Sequence, residues 1–119
     1  MSPAELRRLA ERKLVESGAM AADADRLRAE AAALRGLLEP LVTMSREVWS
    51  GPAAAEFEAD VVRHGSRLDE ECGRVIRIAA ELDERARLLR LDATSLREQA
   101  SVAEAAAGAG AFPLPGGVA

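Results

Sequence analysis

The chain has 119 residues, of which 30% are charged and 3% aromatic, and it contains no tyrosine. Its formal net charge is −4, and its arginines are interleaved with Glu and Asp; this argues against nucleic-acid binding, which needs a clustered basic face. Such a composition is typical of long helices with a core of small and aliphatic side chains, and the length allows one domain.

Cysteine content and hydropathy exclude further classes. Cys72 is the single cysteine, so neither an internal disulfide nor a cysteine-based zinc site can form. No stretch approaches the ~20 apolar residues of a membrane span, and the first residues lack the apolar run of a cleavable signal peptide. We therefore expect no membrane span and, if the protein is exported, a route that needs no cleaved leader.

The first helix is predicted to run from about Pro3 to residue 46. Ser2 supplies a capping hydroxyl, and Pro3 suits the first helical turn. From Met20 onward, apolar residues recur in alternating steps of three and four, the heptad pattern of packed helices. Gly18 costs about 1 kcal/mol in a helix interior, so a kink there is an open alternative, and Pro40 removes one backbone hydrogen bond. The large side chains of this seam are Leu27, Leu34, Leu38, Leu41 and Val48.

The stretch from Val48 to Pro52 separates two amphipathic segments, and a chain reversal is predicted at residues 49–52. Glycine can adopt the left-handed conformation that ends a helix, and proline suits the first turn of the next. A large aromatic side chain at such a bend packs across the two helices that meet there. The turn motif consists of Trp49, which is the only tryptophan, Ser50, Gly51 and Pro52.

A second helix is predicted over about 53–104. Its apolar positions continue in heptads, with one four-residue step from Leu68 to Cys72 that places the cysteine on the seam. On the opposite face an acid precedes an arginine by four residues, as in Asp83 and Arg87, a spacing that supports a helix. The large side chains of this seam are Phe57, Val61, Leu68, Val75, Leu82 and Leu89.

The lengths of the two helices agree only if the first one begins near Pro3. A second helix from residue 53 to 98 spans roughly 65–70 Å at about 1.5 Å per residue, and a first helix beginning at Met20 would leave its far third uncovered. A break near residue 92 stays open, and the Ala/Gly/Pro-rich residues 105–119 are predicted to form a flexible tail. The expected fold over 1–104 is all-α, an antiparallel helical hairpin. Because a lone hairpin has no second layer to cover its apolar edge, a partner is implied.

Trp49-Ser50-Gly51 between two amphipathic helices of this size resembles the WXG family, the small early-secreted-antigen-like proteins of type VII (ESX) secretion. The resemblance covers about residues 20–100. It implies that the Trp-x-Gly turn joins two antiparallel helices and that two such hairpins dimerise into a four-helix bundle. Trp49 and Gly51 match the family's turn. The positions that match its hairpin and dimer core are Leu34, Leu38, Leu41, Phe57, Val61 and Leu68.

The resemblance further implies a role in type VII secretion, as a secreted substrate or as the partner or adaptor of a co-exported helical protein. It implies a homo- or heterodimer with another WXG-like protein, contact with the secretion machinery, and a cytoplasmic location followed by secretion. The family's Tyr-x-x-x-Asp/Glu signal is missing because the chain has no tyrosine, which favours a heterodimer whose partner carries the signal. An intracellular structural or regulatory coiled-coil module without an export role is the alternative. A membrane-surface helix is disfavoured, since the flanks of the seam are not selectively basic.

The sequence contains no recognisable catalytic or ligand-binding constellation. His64 has no second His, Cys or Asp at ligand spacing on its own face, and Asp60, one turn earlier, is expected to pair with it. Cys72 is predicted to act as a small buried hydrophobic residue. Paired carboxylates such as Glu70-Glu71 belong to a helix surface, whereas a catalytic pair needs a pocket. We therefore expect no enzymatic activity, no cofactor and no metal.

Overall fold

A computed structural model of the protein describes residues 1–48 and 51–111, with side-chain environments described for all of these except 42, 45–48, 110 and 111. Within the described residues the secondary structure consists of two α-helices, α1 (Pro3–Val48) and α2 (Pro52–Ala111). The prediction of an all-α chain built from two long helices is therefore confirmed.

The start of α1 is fixed by a capping arrangement around Ser2. The backbone N–H of Glu5 donates to Ser2 Oγ at 3.2 Å, and the Ser2 hydroxyl donates to Glu5 Oε1 at 3.1 Å. The Leu6 N–H donates to the Ser2 carbonyl at 3.0 Å, which is the first bond of the helix. Ser2 is thus the N-cap and Pro3 the first helical residue, as predicted from the sequence.

Both helices are longer and less interrupted than the sequence suggested. α1 continues through Gly18 and includes Pro40, and α2 runs without interruption past residue 92. The predicted tail begins too early: residues 105–111 are helical, because alanine, which dominates this segment, has the highest intrinsic helix propensity. Residues 112–119 lie outside the described part of the chain.

Two compact units divide the helices, and we call them the terminal unit and the central unit. Within the described residues, the terminal unit combines 1–20 with 84–111, and the central unit is Ala21–Asp83. In each unit, contacts join rising residue numbers on α1 to falling numbers on α2, so the two helical segments pair antiparallel. In the terminal unit these pairs are Arg7–Glu104, Lys13–Asp92 and Ser17–Ala86. In the central unit they are Arg28–Asp83, Ala31–Cys72, Arg35–Asp69 and Leu38–Gly65.

The buried core is made almost entirely of small side chains that recur every seven residues. Fully buried residues on α1 include Ala10, Ser17, Ala24 and Ala31, and on α2 they include Cys72, Ala79, Ala86, Ala93 and Ala100. The same repeat reaches Leu38 on α1 and Gly65 on α2, where the leucine packs against the glycine. We call this set the small-residue seam.

Two hydrogen bonds show how closely the helix backbones approach along this seam. The Ser17 hydroxyl donates to the Ala86 carbonyl at 2.9 Å, and the Cys72 thiol donates to the Ala31 carbonyl at 3.6 Å. A side chain as short as serine reaches the main chain of a neighbouring helix only if nothing bulky separates them. The small residues therefore permit the close packing, and both short polar groups are satisfied by it.

We predict that enlarging one seam residue destabilises the protein whereas enlarging its neighbour does not. Ala79 is fully buried and Ala80 is exposed. Ala79→Leu should lower the free energy of unfolding by about 1–3 kcal/mol, because extra methylene groups must push the helices apart. Leu and Ala differ little in helix propensity, so Ala80→Leu is a matched control that should change it by about 0.5 kcal/mol or less.

Urea unfolding followed by circular dichroism at 222 nm measures both variants against the wild type. Equal midpoints for Ala79→Leu and Ala80→Leu would contradict a core that depends on small side chains at the seam.

Candidate functional site

The predicted turn motif is only partly within the described residues. Trp49 and Ser50 lie outside them. Gly51 has φ of 98°, a left-handed conformation that side chains with a Cβ rarely adopt. Its carbonyl accepts a hydrogen bond from the Ala55 N–H at 3.1 Å, and α2 begins at the next residue, Pro52. Gly51 thus caps the start of α2, and Pro52 occupies the first helical position as predicted.

Apart from Leu38, which continues the small-residue seam, the large residues predicted as the partner and core seam line the edge of the buried core. Among the ten whose side chains are described, none is fully buried. Their smaller heptad neighbours take the central position, with Ala24 and Ala79 at 0% exposure. Half-buried members are Leu27, Leu38, Val61, Leu68, Val75, Leu82 and Leu89; exposed members are Leu34, Leu41 and Phe57. The Val48 side chain lies outside the described set.

One flank of the seam in the central unit is closed by ion pairs between the helices. Arg28 and Asp83 lie four residues after seam alanines of their respective helices, and they meet at 2.7 Å. Arg35, one heptad after Arg28, and Asp69, two heptads before Asp83, also lie four residues after seam positions, and they meet at 3.2 Å. Positions four residues after the seam on both helices therefore share one side of the pair.

The opposite flank of the central unit is apolar. In an antiparallel helix pair, the positions three residues after each seam residue lie on the side away from those ion pairs. The positions directly before each seam residue lie on the same side, farther from the contact between the helices. We call this surface the leucine face. Its inner row is Leu27, Leu34, Leu41, Val61, Leu68, Val75 and Leu82, and its outer row includes Leu37, Met44, Phe57 and Ile78. Five of these exceed 45% exposure, with Leu37 highest at 65%, so this chain leaves much of the face uncovered.

The corresponding flank of the terminal unit is polar as well as apolar. Lys13, three residues after a seam position, lies 3.5 Å from Asp92, one residue before a seam position. Glu16 and Arg85 line the same flank beside Met20, around a shallow depression of about 280 Å³. A continuous apolar surface is therefore a property of the central unit.

Two further surface depressions are each lined by one segment of the chain. One of about 610 Å³ is formed by Met1 and α1 residues up to Val15, and one of about 420 Å³ by α2 residues between Ser95 and Ala106. Within the part of the chain that the structure describes, no group of His, Cys, Asp and Glu is arranged to hold a metal ion. Over the same residues neither helix has a stretch long and apolar enough to cross a membrane.

The surroundings of Cys72, Asp60 and His64 test what was predicted for these residues. Cys72 is free and 2% exposed, which confirms the predicted small buried residue. The expected pairing of Asp60 with His64 is wrong: Asp60 contacts Arg63 at 3.3 Å, because the longer guanidinium side chain one turn away reaches it, and His64 is exposed.

The ion pairs predicted between an acid and the arginine four residues later are also replaced by other contacts. Arg87 pairs with Glu84, three residues earlier, through hydrogen bonds of 2.6 and 2.9 Å. Asp83, its expected partner, instead contacts Arg28 across the helices. Cross-helix contacts thus compete with local ones for the same side chains.

Arg7 and Glu104 form the most specific ion pair between the helices of the terminal unit. Arg7 donates from Nε at 3.0 Å and from Nη2 at 2.8 Å to the two carboxylate oxygens. Hydrogen bonding to Arg7 lowers the pKa of Glu104, and the same bonds raise the pKa of Arg7. Two parallel bonds fix the orientation of both side chains.

Sequence reasoning missed two seam residues, Ser17 and Gly65. Neither residue has an apolar side chain, so neither stands among the residues predicted to form the seam. Counting small residues of any polarity at a seven-residue interval would have found both, since Gly65, Cys72 and Ala79 continue one strict series.

We predict that replacing glycine with alanine has opposite effects on stability at Gly51 and at Gly18. Gly51→Ala should destabilise the protein by about 1–2 kcal/mol, because a Cβ at φ 98° is strained. Gly18→Ala should stabilise it by about 1 kcal/mol, since an added Cβ meets no atom within 4 Å and alanine favours the helix interior. Thermal unfolding measures both, and a stabilised Gly51→Ala variant would refute the left-handed cap.

We also predict that the Arg7–Glu104 pair contributes to acid sensitivity. The carboxyl pKa is lowered in the folded state, so its contribution to stability is present above the ordinary glutamate pKa and is lost as the pH falls through the lowered value. Glu104→Gln should therefore show a smaller loss of stability between pH 7 and pH 3 than the wild type. The measurement is the urea midpoint at each pH. Adding Arg7→Gln to Glu104→Gln should produce little further change, and a large further change would contradict the pairing.

No family model matches the chain, and no curated protein or solved structure matches it either. Three features of the chain itself bear on its function: the close helix pair, the left-handed Gly51 before Pro52, and the leucine face of the central unit.

Proposed function

We propose that the protein is a WXG-type helical protein of type VII (ESX) secretion. In this role it is a secreted substrate or the partner or adaptor of a co-exported helical protein. It acts by pairing with a second helical protein, with which it forms a four-helix bundle. In this role it is cytoplasmic before export and is then secreted.

The observation that carries the proposal is the arrangement of Gly51 between two long, antiparallel helical segments. Gly51 takes a left-handed φ of 98° immediately before Pro52, the first residue of α2. In the proposed turn, Trp49 and Ser50 complete the reversal that brings α1 and α2 together in the central unit. The left-handed backbone at residue 51 then requires glycine, which explains why the proposed turn has the sequence Trp-x-Gly.

The leucine face supports the proposed partnership. Leu34 and Leu41, which the family resemblance assigns to the hairpin and dimer core, are 45% and 47% exposed. Exposed contiguous apolar surfaces on a small helical protein are typical of interaction sites. A second helical protein on this face would supply the missing layer.

The absence of tyrosine defines the proposed role more narrowly. The family's Tyr-x-x-x-Asp/Glu signal cannot occur in a chain without tyrosine. In the proposed complex, the partner carries that signal and this chain supplies the Trp-x-Gly turn. The pair is then a heterodimer whose two chains contribute different parts of the export determinant.

The same absence of tyrosine favours one alternative function. A structural or regulatory coiled-coil module that acts wholly inside the cell would need no export signal. Such a module would use the same leucine face to bind a partner. Export of the chain distinguishes the two functions, whereas dimerisation does not.

The test is co-expression with the products of neighbouring genes that encode small helical proteins, in wild-type cells and in a type VII secretion mutant. We expect a stable complex with one of them and the appearance of both chains in the culture supernatant of the wild type only. A folded chain that binds none of these proteins would refute the proposal, and a stable complex that stays in the cells of both strains would favour the intracellular module.

The Trp49→Ala variant distinguishes packing of the indole at the turn from a contact with the secretion machinery. If Trp49 contacts the secretion machinery, the variant should still form the complex but should not be exported. If the indole only packs at the turn, stability should fall by about 3–5 kcal/mol, the cost of removing a well-buried large side chain. Trp49→Phe is the matched control, since it keeps an aromatic ring. Co-purification, thermal unfolding and immunoblots of the supernatant provide the three readouts.

A further inference from the structure

We propose that the leucine face binds a pair of helices whose own apolar surface is bordered by Lys or Arg, and not a second copy of this chain. The proposal rests on the part of the proposed function that gives the chain a helical partner. It adds the position of the contact surface and the charge of the partner.

The first argument is the size of the leucine face. Along α2 it extends from Phe57 to Leu82, about 38 Å at 1.5 Å per residue, and along α1 from Leu27 to Met44, about 26 Å. Each helix is about 10 Å wide, so the face covers roughly 640 Å² in projection. A stable interface buries about 800 Å² on each partner. One helix, about 10 Å wide, would cover half of this surface, so a helix pair fits it.

The second argument is the charge along its border. The positions directly before the seam residues in the central unit form this border, and they include no Lys or Arg. The charged residues among them are Asp23 and Glu30 on α1 and Glu71 on α2. Glu30 has no ion pair with any residue that the structure describes. Asp23 and Glu71 contact Arg26 and Arg74 of their own helices, at 2.8 and 2.9 Å, and both contacts are exposed.

The third argument is the charge of the unit that carries the face. Residues 21–83 contain thirteen acidic and eight basic residues, a net charge of −5, whereas the rest of the chain contains seven acidic and eight basic residues, a net charge of +1. The negative charge of the protein is therefore concentrated in the unit with the apolar surface. A like-charged partner would be repelled during approach, and a basic one attracted.

A second copy of the chain matches the leucine face in size but not in charge. Pairing two leucine faces would bring two borders of Asp23, Glu30 and Glu71 together between two units of net charge −5. Like charges placed opposite each other across an interface weaken binding and suppress incorrect pairs. A partner with basic residues at the border would instead form cross-interface ion pairs at Glu30 first, because that carboxylate has no local arginine to displace.

The experiment uses a charge-reversed version of this chain as the basic-bordered probe. The reversed chain carries Asp23→Lys, Glu30→Lys and Glu71→Lys, and circular dichroism checks its helix content. Sedimentation velocity is then measured for the wild type, the reversed chain and their equimolar mixture. We expect the mixture to form a heterodimer that is about tenfold tighter or more than either self-pair, and to lose this preference at about 1 M salt.

Two matched controls test the position of the contact. A chain with Glu39→Lys, Glu56→Lys and Glu70→Lys has the same change in charge at exposed positions away from the border, and it should bind the wild type less tightly than the reversed chain does. In the reversed chain, Leu34→Ser with Leu37→Ser should abolish the heterodimer, whereas Val62→Ser with Ile76→Ser, on the ion-paired flank, should leave it intact.

A tight wild-type homodimer that is insensitive to salt would overturn the proposal in favour of a second copy. Equal binding by the two lysine variants, or a heterodimer unaffected by the serines at Leu34 and Leu37, would overturn it as well. All measurements use purified chains, so they do not depend on secretion. Charge-selected pairing in a protein that is never exported would count against the proposed function alone.

Discussion

The close approach of two helix backbones is the constraint on which this structure depends. Alanine, serine, cysteine and glycine at every seventh position let α1 and α2 approach until the Ser17 hydroxyl reaches the Ala86 carbonyl at 2.9 Å. Close backbones leave little room for leucine between the helices, except where Leu38 packs against Gly65, so the other large heptad residues are pushed to the edges of the core. The apolar edge of the central unit is therefore a consequence of how its core is packed. The large heptad side chains could have filled a wider core, but beside closely packed helices they lie at its edge.

The two edges of the pair then differ in chemistry because the residues four and three positions after the seam differ. On one edge, Arg28 and Asp83 close the gap with exposed charge, and such pairs contribute little to stability but specify which side chains meet. On the other edge, leucine and valine form the inner row, and the acidic side chains of Asp23, Glu30 and Glu71 lie only at its border. The same heptad repeat thus produces a solvated edge and an apolar one, and the distinction between them lies in the charge pattern.

Much of the fold was predictable from local signals. Ser2 and Pro3 indicate where α1 begins, Pro52 indicates where α2 begins, and the heptads predict two long paired helices. The central position of the core was not predictable in the same way, since a periodic pattern counts Ala24 and Leu27 alike as apolar. Only the distance between α1 and α2 decides whether Ala24 or Leu27 faces the other helix, and that distance depends on all seam residues at once. Gly65 was missed for this reason: glycine is not counted as apolar, yet its lack of a side chain accommodates Leu38.

The candidate site follows from what the core excludes. Leu34, Leu41 and Phe57 carry large apolar surfaces, and the close packing of the helices prevents the chain from burying them itself. In the terminal unit Lys13 and Asp92 occupy the equivalent edge as an ion pair, which shows that the repeat tolerates charge there. Leucine in the central unit is therefore not required by the pairing of the helices. Its cost in exposed apolar area is offset if another surface covers it, and the acidic residues beside it favour a basic one.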